Sequence, residues 1–372
     1  MRFLSRLALL LLLLLAPACA LAQLDAPEGG FIAPSSYLVE VEPTEETVIT
    51  LTFGGDCVLG SDYRQDGKAE SFDTAVAERG MAWPFSGVRH IFAQDDLSLV
   101  NLEVVLQEDD QGFKRRQHNF RGHPGYTDIL KLGSVESVNL ANNHHIDYQA
   151  AGRQSTLEAL DTAGLRYSGY GHLDVFVKNG VKIGFGGIRE TTYRQKPGQV
   201  AEDISKLREM GAHYIVYSMH FGKEYSPAHN ELQTKMARQA IDLGADLIIG
   251  THPHVVQGLE KYNGGLILYS LGNLVFGGNH HLTEFDALLA RVTLGFEADK
   301  MDALQLELIP VHTSGAEPAN DFRPIPAKGE AKAEVLRRVQ EDTPFPVHGL
   351  MVFLGEKDLQ GEAEERNDGN GR

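Results

Sequence analysis

Short apolar runs that each end on polar, ligand-type side chains are the feature that most constrains this fold. They occupy residues 48–53 before Asp56, 97–102 before Glu103, 137–141 before Asn143 and His144, 214–219 before His220, and 246–249 before His252 and His254. Helical spacing of apolar residues lies between these runs, at 124–132, 150–163, 201–210 and 232–243. Strands that alternate with helices predict an α/β layered domain, in which ligands bind outside the carboxyl ends of the strands.

The pattern changes after residue 285. Longer segments of alternating apolar and polar residues follow, at 288–297, 304–311 and 348–354. This alternation is typical of strands with one buried face. We expect these strands to complete a second sheet that packs on the first, within one domain over residues 47–354.

The N-terminus has the pattern of a secretory signal peptide over residues 1–22. Two arginines precede a leucine-rich run at 7–15, which is too short to span a bilayer, and small residues follow it. We therefore expect an exported protein, periplasmic or otherwise extracytoplasmic. Lipid attachment at Cys19 is the less favoured alternative, because Ala16 stands where a lipidated cysteine usually has leucine or a similar residue.

Two further segments lie outside the predicted domain. Residues 23–46 contain prolines, glycines and acids without a sustained period, which predicts a flexible arm, and residues 355–372 are predicted to form a disordered acidic tail. The formal net charge is −17, and loss of the two signal-peptide arginines brings it to about −19. This acidity argues against nucleic acid as a partner. Without Cys19, Cys57 has no partner for an internal disulfide.

The polar residues at the strand ends combine carboxylates, a carboxamide and imidazoles, with no thiolate. This mixture suits divalent cations such as Mn, Fe, Zn or Ca. Two such ions about 3.5–4 Å apart would activate a water and bind the oxygens of a scissile bond. His252 and His254 are the most informative pair, because two imidazoles on either side of one proline cannot both be satisfied core groups. Each of the other residues has an ordinary alternative role, such as a turn residue, a helix cap or a surface acid.

A basic patch precedes the helix predicted at 124–132. It consists of Lys114, Arg115, Arg116, His118, Arg121 and His123. The three arginines are candidates to bind carboxylate or phosphate groups of a substrate. A solvated hairpin that offsets the acids at 108–110 is the alternative interpretation. Glu224 is a further candidate, because its carboxylate would orient a cation or a water in the same pocket.

Motifs read in order along the chain resemble the CapA family. They are Gly-Asp at 55–56, Asn-Leu-Glu at 101–103, Ala-Asn-Asn-His-His-Ile-Asp-Tyr at 141–148, His-Phe-Gly-Lys-Glu-Tyr at 220–225, Gly-Thr-His-Pro-His at 250–254 and Tyr-Ser-Leu-Gly-Asn-Leu-Val-Phe at 269–276. The resemblance covers residues 48–312. It implies poly-γ-glutamate capsule biosynthesis and a four-layer αββα sandwich of the metallo-dependent phosphatase type, similar to the calcineurin-like enzymes.

The resemblance also implies a metal site at one edge of the paired sheets. Glu103 would stand at the second acid of the site, and Asn143 at its asparagine ligand. His220 and His252 would complete the shell of one ion, and His254 would reach the other. The implied cofactor is one or two divalent ions.

Two more residues gain roles from the same resemblance. His144 corresponds to the histidine that protonates the leaving group. Asp147, three residues later, would orient an imidazole from behind. A helix N-cap is the alternative role for Asp147.

The first strand departs from the calcineurin type. Asp56 stands where a carboxylate bridges two ions, but those enzymes begin with Asp-x-His, and Val58 occupies the third position here. One ion would therefore lose a ligand, which weakens the inference to phosphatase activity.

We expect, from these implications, a metal-dependent hydrolase or amide transferase of capsule polymer biosynthesis. Its substrate would be a γ-glutamyl or related anionic polymer, and its partners would be membrane proteins of capsule synthesis and export. Two alternatives stay open: a non-catalytic, polyanion-binding accessory of such a complex, and a metallophosphoesterase.

Overall fold

The computed structural model describes residues 46–361, and these residues fall within one compact unit. The predicted signal peptide at 1–22, residues 23–45 of the predicted arm, and the tail from residue 362 onward lie outside the described residues. Within the described part, no helix combines the length and the apolar character needed to cross a bilayer.

The described residues form strands that fall into three sheets. In chain order these strands are β1 (Glu46–Val58), β2 (Ser61–Asp62), β3 (Leu97–Leu102), β4 (Val105–Leu106), β5 (Phe120–Gly122), β6 (Ser137–Asn139), β7 (Arg166–Ser168), β8 (Asp174–Lys178), β9 (Val181–Arg189), β10 (Tyr214–His220), β11 (Leu247–Thr251), β12 (Leu259–Tyr262), β13 (Gly265–Leu268), β14 (Asn273–Phe276), β15 (Asp286–Glu297), β16 (Lys300–His312), β17 (Ile325–Pro326) and β18 (Leu350–Phe353).

Helices connect many of these strands. In the described part of the chain they are α1 (Phe72–Arg79), α2 (Arg89–Phe92), α3 (Thr127–Leu132), α4 (Gln149–Ala163), α5 (Glu190–Gln195), α6 (Gln199–Glu209), α7 (Glu231–Asp242) and α8 (Gly329–Glu341). The helices predicted at 150–163, 201–210 and 232–243 are confirmed as α4, α6 and α7, each within two residues at either end. The segment at 124–132 begins with a 3₁₀ turn and continues as α3.

The larger sheet has nine strands, with β1 near its centre. β3, β6 and β7 follow in parallel on one side, whereas β15 and β16 follow on the other side in antiparallel pairs. The expectation that the late strands complete a second sheet is wrong, because β15 pairs with β1 along its length, from Glu46↔Glu297 to Phe53↔Ala290. Alternation identifies a strand with one buried face, but it does not identify the neighbour to which the strand is hydrogen-bonded.

The second sheet has six strands in the order β12-β13-β11-β10-β9-β8. Its central strands are parallel and its two edge pairs are antiparallel. The strands β2, β5 and β4 form a small third sheet. The prediction of a mixed α/β domain is therefore confirmed.

Apolar clusters connect the sheets and helices. One cluster combines residues from both large sheets, such as Leu51 and Val216. A second combines the first sheet with the helices between β1 and β7, such as Val100 with Leu160. A third packs α6 and α7 on the second sheet. Burial of these apolar faces holds the strands that carry the candidate ligands in fixed positions.

Asp56 lies inside β1 rather than after it, at an irregularity of the strand. The register of β1 shifts between Gly54 and Asp56 against β3, and between Asp56 and Val58 against β14. The backbone of Gly272 passes close by, since Asp56 N donates to Gly272 O at 2.9 Å. A Cβ atom at Gly55 would lie 1.9 Å from that oxygen, so only glycine fits there.

The prediction of disorder from residue 355 onward is wrong for the first residues of that segment. Residues Glu356–Leu359 form a 3₁₀ helix, and the Leu359 side chain is fully buried in the cluster between the two large sheets. The acidic composition of 355–372 led to the prediction of disorder, although the segment contains Leu359. Burial of the apolar Leu359 side chain stabilises the segment by removing that side chain from water.

Leu359→Ala is expected to lower the free energy of unfolding by about 2–5 kcal/mol, as is typical of a leucine deleted from a core. Leu354→Ala, at a side chain that is 41% exposed, serves as the matched control and should change it by less than about 0.5 kcal/mol. Denaturant titration of both variants measures the difference. Equal effects would show that the segment is not anchored by Leu359.

Candidate metal centre

Asp56 is a fully buried carboxylate at the centre of the candidate site. Its Oδ1 accepts a hydrogen bond from Asn101 Nδ2 at 2.7 Å, and its Oδ2 accepts one from His252 N at 3.1 Å. His254 Nδ1 lies 3.2 Å from the same Oδ2. Burial alone would raise the pKa of Asp56. The hydrogen bond and charge of His254, together with the hydrogen bonds from Asn101 and the His252 backbone, hold this pKa below its usual value. Asp56 therefore remains an anion.

Glu103 is the second buried carboxylate, and its environment is the opposite. It is fully buried, and no donor in the described part of the chain reaches either of its oxygens. Burial and the nearby charge of Asp56 raise the pKa of Glu103 well above its usual value. Its Oε1 lies 3.5 Å from His220 Nε2 and 4.0 Å from His144 Nε2. A cation would supply the interaction that this carboxylate lacks.

The turn that carries His252 and His254 has an unusual backbone. The two residues have φ values of 98° and 59°, in the region that favours glycine. Such conformations cost about 1–3 kcal/mol each and concentrate at functional sites. The turn places the two rings 5.9 Å apart. His252 Nδ1 is buried without a hydrogen-bond partner among the described residues, whereas His254 Nδ1 lies 2.9 Å from Asn273 Oδ1.

His220 ends β10 and faces the turn. Its Nδ1 lies 3.0 Å from Thr251 Oγ1, and its Nε2 lies 2.7 Å from Asn143 Oδ1. Its ring lies 4.5 Å from that of His252. Burial, followed by the neighbouring His252 and His254, lowers the pKa of His220 well below its usual value, which keeps the imidazole neutral. A neutral imidazole is the form that binds metals.

The arrangement fits a divalent cation. Three groups of side chains each have ligand atoms within 4.8 Å of one another: Glu103 with His220 and His252, Glu224 with His252 and His254, and Asp56 with Glu103 and His254. His252 thus belongs to two groups, rather than to one shell with His220 alone. Glu224, expected to contact substrate, has its carboxylate within one of these groups. The orphaned Glu103 oxygens and the orphaned His252 nitrogen are the polar atoms that an ion would satisfy.

His144 and Asp147 form a separate pair beside these ligands. His144 Nδ1 lies 2.6 Å from Asp147 Oδ2, which also accepts from Phe120 N at 2.7 Å. The Phe120 ring packs on the imidazole with 4.1 Å between ring centroids. Asp147 is not the N-cap of α4, since that position belongs to Tyr148. The ring orientation of His144 is therefore set, with Nε2 directed toward the side of Glu103.

The three arginines of the basic patch are not brought together at the site. Arg115 donates to Tyr63 Oη at 3.2 Å, and Arg116 contacts Asp147 Oδ1 at 3.5 Å. Arg121 pairs with two acids, Asp66 and Asp110, each at 3.3 Å. The hairpin interpretation thus describes Arg121, whereas Arg116 alone of the three contacts a candidate site residue among those described.

A cavity of about 110 Å³ opens on the candidate ligands. Its lining includes His144, Glu224 and His254, together with Tyr225 and Asn273. The sequence did not single out Tyr225, Asn273 or Asn101, the partner of Asp56, as site residues. Their positions in the sequence could have identified them, because each lies within a family-like motif that contains a proposed ligand or adjoins the site. Polar side chains inside such motifs are candidates on that ground alone.

Comparison with known proteins gives a consistent result. The family described as "Bacterial capsule synthesis protein PGA_cap" matches residues 50–278. The chain is 28% identical over 285 residues to the capsule biosynthesis protein CapA of Bacillus anthracis, covering 70% of this chain and 67% of that protein. It is 28% identical over 331 residues to the PGA biosynthesis protein CapA of Bacillus subtilis (strain 168), covering 82% and 81%. A probable polyglutamine synthesis accessory protein of Mycobacterium tuberculosis is 24% identical over 325 residues, covering 72% of this chain and 85% of that protein.

Glu103→Gln is expected to abolish most of the thermal stabilisation that excess Mn²⁺ gives to the wild type. An ion at 100 times its Kd stabilises a protein by about 2.7 kcal/mol, and the variant lacks the anionic ligand. In chelator, the variant should be about as stable as the wild type, because glutamine replaces a carboxyl group that is buried without a hydrogen-bond partner among the described residues. Glu108→Gln, at a largely exposed acid, is the control and should retain the full Mn²⁺ effect. An unchanged Mn²⁺ effect in Glu103→Gln would contradict the assignment of Glu103 as a ligand.

Proposed function

This chain belongs to the bacterial capsule synthesis protein family PGA_cap, and we propose that it is a metal-dependent hydrolase or amide transferase acting on an anionic capsule polymer. The relatives named CapA are proteins of capsule or PGA biosynthesis. The proposed substrate is poly-γ-glutamate or a related γ-glutamyl polymer. The proposed reaction is cleavage of its amide bond, with water or a polymer amine as the acceptor.

The observation that carries this proposal is the buried carboxylate of Glu103, which lies beside three imidazoles and has no hydrogen-bond donor among residues 46–361. Such a carboxylate is expensive to bury unless a cation accompanies it. The residues that would hold one or two ions are Asp56, Glu103, Asn143, His220, His252, His254 and Glu224. When bound, a divalent ion such as Mn, Fe, Zn or Ca supplies the Lewis acidity that polarises an amide carbonyl and activates a water.

His144 is the proposed general acid. Asp147 accepts a hydrogen bond from the proton on Nδ1, so the second proton of the imidazolium form is on Nε2, from which it is donated to the leaving nitrogen. Amide cleavage needs this proton, because an amine leaves as a neutral group only after the nitrogen is protonated. Phe120 and Asp147 fix the ring, so that the proton is delivered from one direction.

We extend the proposal to the layer arrangement, a four-layer αββα sandwich of the metallo-dependent phosphatase type. The cluster that combines both large sheets supports two central layers. The two clusters that join each sheet to helices support the outer layers. Phosphoester hydrolysis is the less favoured activity, because Val58 is fully buried and brings no ligand to the site.

A second candidate function is a non-catalytic accessory that binds the polyanion within a synthesis and export complex. The word "accessory" in the name of the Mycobacterium tuberculosis relative favours it. In either function, membrane proteins of capsule synthesis and export are the proposed partners. A pull-down of such proteins with the full chain tests this part.

His144→Gln is expected to lower kcat for poly-γ-glutamate cleavage by about 10²–10⁴-fold, the usual contribution of a general acid. The metal content of the purified variant should stay at the wild-type level, because His144 belongs to none of the three ligand groups. New amine ends, counted after incubation with Mn²⁺, give the rate. His123→Gln, at an exposed histidine paired with Glu108, is the matched control and should keep full activity.

Three results would contradict this mechanism or replace it. Equal rates for His144→Gln and the wild type would remove His144 from catalysis. Polymer binding without turnover by the wild type would favour the accessory function. Turnover of an aryl phosphate but not of the polymer would favour a phosphoesterase.

Export is part of the proposal, with cleavage after Ala22. N-terminal sequencing of the mature protein should then begin at Gln23. An acyl group found on Cys19 would instead identify a lipoprotein, and an intact Met1 would contradict export through a cleaved signal.

A further inference from the structure

A second cavity, of about 220 Å³, lies beside the candidate metal centre. Its lining includes Arg153, Tyr170, Arg189, Thr192 and Lys196, and we call it the arginine cleft. Arg153 comes from α4, Arg189 ends β9, and Lys196 follows α5. These residues lie outside the motifs that the sequence shares with the family, and the proposed mechanism does not use them.

Within the described part of the chain, the basic side chains of the arginine cleft have no acidic partners. No carboxylate of the described residues lies within 4.0 Å of the charged nitrogens of Arg153, Arg189 or Lys196, and Arg189 Nε is buried without a hydrogen-bond partner. Several other arginines are paired with acids, as Arg166 is with Asp174 at 2.7 Å, although Arg115 contacts only a tyrosine hydroxyl among the partners described. In a chain with a formal charge of −17, unpaired cations around one cavity are unexpected unless an anion binds there.

Tyr170 lies near both guanidinium groups of the cleft. The guanidinium carbons of Arg153 and Arg189 lie 5.9 and 5.6 Å from the centroid of its ring. The ring is fixed, because its hydroxyl donates to Asn142 O at 2.9 Å and His145 stacks on it at 3.5 Å. Contact with an aromatic ring attracts each cation but leaves its charge unneutralised. A carboxylate bound in the cleft would supply the negative charge that these cations lack among the described residues.

The cleft adjoins the candidate metal centre. Arg189 is the register partner of His220 on the neighbouring parallel strand, so the two Cα atoms are separated by about one strand spacing, ~5 Å. On the other side of the cleft, the Tyr170 hydroxyl donates a hydrogen bond to the carbonyl oxygen of Asn142, the residue before Asn143. A polymer bound across the metal centre would therefore reach the arginine cleft with the next one or two of its glutamyl units.

We propose that the arginine cleft binds a free carboxylate of the polymer and so sets the position of the scissile amide. Each unit of poly-γ-glutamate carries one α-carboxylate beside its amide bond, which matches the fork geometry of arginine. The choice of polymer rests on the proposed function. The binding of a carboxylate rests on the unpaired arginines alone.

The test measures binding of a γ-glutamyl oligomer to the full chain by calorimetry, in chelator, so that a metal ion contributes nothing. Arg153→Gln and Arg189→Gln should each weaken binding by about tenfold or more, the usual loss with one charged hydrogen bond. Arg189→Lys should restore part of it. Arg79→Gln is the matched control, since Arg79 also lies over an aromatic ring, that of Trp83, but does not line the cleft. Thermal unfolding of each variant confirms that it is folded.

The outcomes separate this proposal from the proposed function. Wild-type affinity in Arg153→Gln and Arg189→Gln would overturn the cleft assignment, even if the polymer is cleaved. Loss of binding in both variants would support the cleft, even if no cleavage occurs. Inorganic phosphate that competes as strongly as the oligomer would overturn the assignment of carboxylate as the ligand. Equal loss in Arg79→Gln would show only general charge attraction and would also overturn it.

Discussion

The carboxylate of Asp56 joins strand ends from the two large sheets, and the geometry of the site depends on it. Asn101, in β3 of the first sheet, donates to one oxygen, and the backbone of His252, directly after β11 of the second sheet, donates to the other. Hydrogen bonds to a charged group contribute about 1.5–3 kcal/mol each. The irregularity of β1 at Gly55 lies next to this carboxylate. The missing side chain at Gly55 lets β1 approach the backbone of Gly272 closely at this point.

The same site contains features that oppose folding. Glu103 is buried without a donor among the described residues, and His252 and His254 have left-handed backbone conformations. Each costs free energy that the apolar clusters must offset. The cost of burying Glu103 falls on the metal-free protein, and a cation bound among these side chains would offset it by supplying the interaction that Glu103 and His252 lack among the described residues.

The sequence predicted the location of the site residues better than it predicted their individual roles. Neighbouring parallel strands end at one edge of a sheet, which brings Asp56 near Glu103 and His220 near His252. The meeting of the two sheets at this edge depends on tertiary packing. The pairing of β15 with β1 and the two acids beside Arg121 depend on contacts between distant residues, which local pattern does not encode. The role proposed for Arg189 could not be predicted for the same reason. An arginine at the end of a strand is common, and only the structure shows that no acid among the described residues pairs with it.

Charge presents the remaining problem, because an acidic protein is proposed to act on an acidic polymer. At physiological salt the Debye length is about 8 Å, so the net charge of −17 is largely screened beyond the first layer of contacts. Affinity then depends on local charge. In the proposed function, the imidazoles with a bound cation would attract the polymer at one point, and the arginine cleft would attract it at a neighbouring point. Two separate attractions of this kind would favour a polymer with regularly spaced carboxylates over a single anion.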